Sequence, residues 1–143
     1  MLGFLIAIIS GALMSIQGVF NTQVTKSSSI WVASSFVQFT ALIVCLGAWA
    51  FTDRSSFGAL LKVEPKYMLL GGAIGAFITI TVIRSMDMLG PARAVLFIVV
   101  CQVAVAYLIE LGGIWGVEKQ PFEWRKIIGV AVSIIGLIIF KFK

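Results

Sequence analysis

The chain has no histidine among its 143 residues, which removes the commonest metal ligand and the side chain best suited to proton transfer near neutral pH. It has only two cysteines, Cys45 and Cys101, both inside apolar runs. No disulfide framework is expected, and each thiol reads as a small hydrophobe. There is no Gly-x-Ser-x-Gly elbow, no phosphate-binding glycine loop and no carboxylate cluster suited to a metal. These absences point away from an enzyme and from any bound metal or other cofactor. Charge is scarce as well: 12% of the residues are charged, 11 of them basic and 6 acidic, for a net +5. The basic residues are scattered at the ends of apolar runs rather than gathered into a patch, so they read as membrane anchors and not as a nucleic-acid surface.

What the sequence does hold is hydrocarbon. Hydrophobic residues make up 60% of it, and its mean hydropathy is +1.09. A soluble particle of this size leaves much of its surface wet and has no room to hide so much apolar area. The partner of that surface is a lipid bilayer. The expected fold is an all-α integral membrane protein, a single transmembrane domain over residues 1–143 with five transmembrane helices. The spans run over about 2–24, 30–51, 67–86, 92–115 and 124–140. All but the last have the ~20 residues that cross ~30 Å of hydrocarbon. The uncharged core of the fifth, from Ile127 to Phe140, is short, so Arg125 and Lys126 at one end and Lys141 and Lys143 at the other must snorkel. The amino terminus lacks a basic leader region and its apolar run continues to Phe20, which marks a retained first span rather than a secretory signal. Trp31, Trp49, Trp115 and Trp124 all fall near span ends, as an interfacial aromatic belt requires.

The chain is organised around Tyr67 to Trp115, two apolar helices joined by a charged hinge, Arg84-Ser-Met-Asp87-Met-Leu-Gly90-Pro91-Ala-Arg93. Gly90 suits a helix end and Pro91 suits the start of the next helix. Five spans place the termini on opposite sides. Six basic residues (Arg54, Lys62, Lys66, Lys119, Arg125, Lys126) then lie on the amino-terminal side and five (Lys26, Arg84, Arg93, Lys141, Lys143) on the other. The positive-inside rule has almost nothing to act on, which permits insertion in both orientations. If the fifth helix does not cross, the count becomes eight to three and one orientation follows.

Several polar groups lie inside the apolar runs. Gln17 and Asn21, four residues apart, share a face of the first span with Ser10 and Met14. Carboxamides in hydrocarbon need partners, so this face points toward other helices or a wet cavity. Gln38 and Gln102 pose the same alternatives, interhelical glue or the lining of a substrate path, with Thr79 or Thr81 as the third span's contribution. Arg84 and Asp87, three apart, can pair along a helix end, and with Glu110 they are the candidates for gating or coupling; a solvated helix end is the simpler role for all three. Phe36, Phe39, Phe77 and Phe97 read either as an aromatic pocket or as lipid contacts. Small residues recur at helical spacing in Gly11 and Gly18, in Gly71-x-x-x-Gly75, and in Gly129 and Gly136, the last pair a candidate dimer seam.

Two stretches carry a resemblance. Glu118-Lys-Gln-Pro121, followed by Ile127-Ile-Gly129 and Gly136, is similar to the Gly-Glu-x-Pro loop and glycine-bearing last helix of the five-span repeat in the drug/metabolite transporter superfamily, with Val117 between the glycine and the glutamate here. Gln17-Gly-Val-Phe-Asn21 resembles the Gln-x-x-x-Asn signature of its YdcZ-like, half-length members. The resemblance implies a multi-pass protein of the bacterial inner (plasma) membrane, one half of a ten-helix inverted-repeat transporter. Its partner would be a second copy, antiparallel if both orientations insert, or a paired homologue. The small multidrug exporters, a four-span branch, carry a glutamate in their first helix; Met14 and Gln17 occupy that region here, so proton exchange is not carried over. The function expected is movement of an unidentified small-molecule substrate, a small organic solute or metabolite, by alternating access as a dimer, in the direction of export. A noncatalytic membrane subunit that stabilises a partner protein, or a small ion channel, are the alternatives.

Overall fold

The computed structural model describes residues 1–141. Lys143 and the Lys141 side chain, two of the expected snorkelling groups, lie outside the described residues. Helix is the only regular structure among these residues: α1 Leu2–Ser27, α2 Ile30–Thr52, α3 Gly71–Leu89, α4 Pro91–Gly112 and α5 Trp124–Lys141, with 3₁₀ segments at Phe57–Lys62 and Lys66–Leu70. Four stretches, Leu2–Lys26, Ile30–Thr52, Lys66–Leu89 and Pro91–Gly112, are long and apolar enough to cross a membrane. The fifth helix carries Arg125, Lys126 and Lys141 within its 18 residues. The apolar stretch between these charges spans only about 21 Å at 1.5 Å per residue.

Helix ends and span ends differ for physical reasons. α1 continues through Thr25, Lys26 and Ser27, past the expected limit of hydrocarbon, because a helix is bounded by its hydrogen bonds and not by polarity. Ser29 then caps α2, its Oγ accepting from the Val32 amide at 3.2 Å. The apolar run from Tyr67 begins as 3₁₀ after Pro65 and turns α-helical only at Gly71. Gly90 (φ 80°) and Pro91 form the expected hinge, with Pro91 in the first turn of α4. α4 stops at Gly112, earlier than expected, since Gly113 takes the left-handed conformation (φ 60°, ψ 36°) that closes a helix. Trp115 therefore stands in the following loop.

The chain divides into two compact units, Met1–Met88 and the remainder from Leu89. In the first, α1 packs on α2 through a two-residue connection. Gly18 meets the third helix: a Cβ there would lie 2.5 Å from Met86 Cε and 3.3 Å from Val82 Cγ1. Of the glycine pair expected on α1, only Gly18 makes a close approach, while Gly11, Gly71 and Gly75 face open space. The buried residues Asn21, Thr22, Ile30, Ala33, Ser34, Ile83 and Met86 are contributed by the C-terminal part of α1, the start of α2 and the end of α3. Beyond them the helices are bare. Only 6% of the apolar window of α1 is buried, and 17% of that of α2. So much uncovered hydrocarbon fits a bilayer.

In the second unit, α4 packs on α5, and the loop between them is built rather than slack. A Cβ on Gly113 would lie 2.7 Å from Lys119 Cβ and 3.2 Å from its Cα. One residue on, the Gln120 amide donates to the Glu110 carbonyl at 2.9 Å.

Candidate functional site

Hydroxyls and carboxamides behave differently on these helices. The hydroxyl groups of Ser15, Thr22, Thr25, Thr40, Thr79, Thr81 and Ser133 donate to carbonyls three or four residues back, at 2.8 to 3.1 Å. Each is satisfied by its own helix. A carboxamide has two donors as well as an acceptor and is not so easily satisfied. The side chains of Gln17, Asn21, Gln38 and Gln102 make no hydrogen bond to any other described residue. One hydroxyl joins them: Ser34 Oγ is buried without a partner among the described residues.

Gln17 and Asn21 come together with a second helix. They line a groove of about 390 Å³ closed on the other side by Val37, Thr40, Ala41, Val44 and Cys45 of α2. The expected face of α1 also bounds a broader groove of about 580 Å³, in which Ser10, Met14, Gln17 and Asn21 stand among Leu13, Ile16 and Phe20. Asn21 is only 8% exposed and lines both grooves. Gln17 is exposed between them. Gln38 is half-buried on α2 but does not line the α1–α2 groove. Gln102 is exposed on α4, in the second unit. Phe36 and Phe39 border a separate groove with Trp31, and Phe77 is exposed on α3.

The ionisable candidates fall into two groups. Arg84 and Asp87 are exposed at the end of α3, and no ion pair joins them among the described residues. Glu110 is engaged: its Oε2 accepts from Lys126 Nζ at 3.2 Å, and Lys126 reaches Glu123 Oε1 at 3.7 Å. Tyr107, one turn before Glu110, donates to the Glu123 carbonyl at 3.3 Å and accepts from the Glu123 amide at 3.0 Å. Lys126 Nζ stands 5.5 Å from the centre of the Tyr107 ring. One face of α4 thus holds the entry to α5. Gly129 and Gly136 are open, with nothing within 4 Å of an added Cβ.

The family described as "Putative inner membrane exporter, YdcZ" matches residues 2–139. The chain belongs to this family. No curated protein and no solved structure matches it. The YdcZ-family chain is a multi-pass protein of the inner membrane.

Two parts of this candidate site escape sequence reading. Thr40 and Cys45 lie within apolar periodicity and carry no mark of their own, yet distance from the Ser28–Ser29 turn finds them. Gln17 and Ala41 stand about equally far from that turn along α1 and α2, so they come level across the hairpin. Lys126 reads as a membrane anchor until its pairing with Glu110 is seen. This pair is about 40% exposed (37% and 42%), and such pairs contribute little to stability. The two Tyr107 hydrogen bonds tie down backbone instead. Tyr107→Phe is therefore expected to destabilise the detergent-purified protein by about 1–2 kcal/mol. In thermal unfolding its midpoint should fall further than that of Glu110→Gln, and the reverse order would make the ion pair the principal tie.

Proposed function

We propose that the chain is a transporter protomer with five spans that exports a small organic solute or metabolite by alternating access, working as a dimer. The observation that carries this reading is the α1–α2 groove with the Gln17 and Asn21 carboxamides at its edge and no internal partner for either. The family's description as an exporter supports the direction proposed. A groove open along one side is half a site, and a second protomer facing it would close it, as in inverted-repeat transporters whose site lies between two halves. Gln38 on α2 and Gln102 on α4 are further candidates for contact with the solute. Arg84, Asp87 and Glu110 stand at helix ends, where gating contacts would form, and Gly129 and Gly136 leave α5 open to a partner helix. Rocking of one five-helix unit against the other then exposes the path to each side in turn.

The nearly even distribution of basic residues supports an antiparallel pair of identical chains. In intact membranes, a single cysteine placed after Lys143, with Cys45 and Cys101 replaced by alanine, is expected to be labelled in comparable populations from both faces. Labelling from one face only would rule out the antiparallel pair and leave a parallel assembly or an oppositely inserted homologue. Solute movement by the purified chain alone in liposomes is the companion result. Its absence there, with activity recovered beside another membrane protein, would favour a noncatalytic subunit.

A further inference from the structure

We infer that the α1–α2 groove takes an uncharged solute, an apolar body carrying a group that both donates and accepts hydrogen bonds. The inference rests on the reading of this groove as the transport site. None of the residues that line it, or the adjoining groove on α1, is Asp, Glu, Lys or Arg, and the chain has no histidine. A cation or anion entering from water would lose its hydration and meet no counter-charge, an outcome that low-dielectric surroundings punish heavily. Aromatic faces offer a cation little here: Trp31, Phe36 and Phe39 line a different groove, and of the residues along the adjoining groove on α1 only Phe20 is aromatic, too few for a cage around a desolvated cation.

A wholly apolar solute fits no better. It would leave Asn21, 92% buried as the complement of its 8% exposure, facing hydrocarbon with its donors and acceptor unmet, and it would gain nothing over dissolving in lipid. A carboxamide, urea or hydroxylated solute answers both demands. It can exchange a donor and an acceptor with Gln17 and Asn21 while its body lies against Val37, Val44, Leu13 and Met14. The Thr40 hydroxyl, its proton already given to the Phe36 and Val37 carbonyls at 3.0 Å, retains acceptor capacity toward such a solute.

Cys45 lines the groove as a free thiol, so it reports occupancy. In liposomes containing the Cys101→Ala protein, N-ethylmaleimide should alkylate Cys45 faster than a lipid-facing control thiol, since alkylation needs the thiolate and the thiolate needs water. The control is Ile43→Cys with both native cysteines replaced; Ile43 is 53% exposed and points away from the groove. Benzamide, benzamidinium and benzoate are then compared as isosteric probes of three charges. Benzamide is expected to slow Cys45 alkylation by about threefold at twice its dissociation constant, with benzamidinium and benzoate without effect at the same concentration. Protection by either charged probe, or by none of the three at a wet Cys45, would overturn the solute class and leave the site itself standing. Cys45 reacting no faster than the control thiol would remove the site, and the solute class with it.

Discussion

Gln17→Leu and Asn21→Leu are each expected to cut transport about tenfold, the loss that follows from one hydrogen bond of roughly 1.4 kcal/mol to the solute. Abundance of the assembled protein in the membrane should stay at the wild-type level. The expectation comes from what these side chains do not do. Neither makes a hydrogen bond to a described residue, so leucine breaks no hydrogen bond inside the protomer. Asn21 is nearly buried and leucine keeps its branched four-atom side-chain skeleton, and replacing an unpaired amide by an apolar group of similar shape is near neutral for stability. Gln17 is exposed, and leucine there meets lipid or solute without strain. If the two amides instead bind a second copy, the same substitutions would weaken assembly, and the dimer would dissociate in mild detergent. Transport in liposomes and dimer content by size-exclusion chromatography separate the two cases. Loss of dimer in step with transport would assign the amides to packing.

Gly113→Ala carries the largest expected effect on stability, about 2–4 kcal/mol, from two additive causes. Alanine in the left-handed region costs about 1–2 kcal/mol. The new Cβ would also sit 2.7 Å from Lys119 Cβ and 3.2 Å from its Cα, and a backbone atom is not easily moved in a loop tied by the Gln120 amide to Glu110. Gly116 is the internal control: its φ is 81°, but nothing lies within 4 Å of an added Cβ. Gly116→Ala should cost only the conformational part. Gly113→Ala should lower the unfolding midpoint further than Gly116→Ala, and equal midpoints would mean that the loop yields around Lys119 without cost.

The hydrocarbon setting, the helical class, the hinge at Gly90-Pro91 and the family are all legible in the sequence, because each depends on residue type in local order. Long uncharged runs report a bilayer wherever they pack. Pro91 opens α4 because its ring presets the backbone. The Gln17–Asn21 spacing marks one face of a helix whatever lies opposite it. α4 ends three residues before the apolar run does for a related reason: Ile114 and Trp115 prolong the run, whereas the helix obeys the left-handed turn at Gly113.

Partnership lies beyond what local order can report. Of four carboxamides with the same signature in sequence, Gln17 and Asn21 border one groove, Gln38 stands beside it and Gln102 belongs to the other unit. Glu110 and Lys126, which read in sequence as a solvated acid near a helix end and a membrane anchor, turn out to be bound to each other. By itself the sequence determined that the chain lives in lipid, that it is helical and which faces are polar, since solvation energy and backbone preference act residue by residue. Only the tertiary structure decided which polar groups meet and which are left free, because hydrogen bonds and ion pairs depend on distances between residues far apart in the chain.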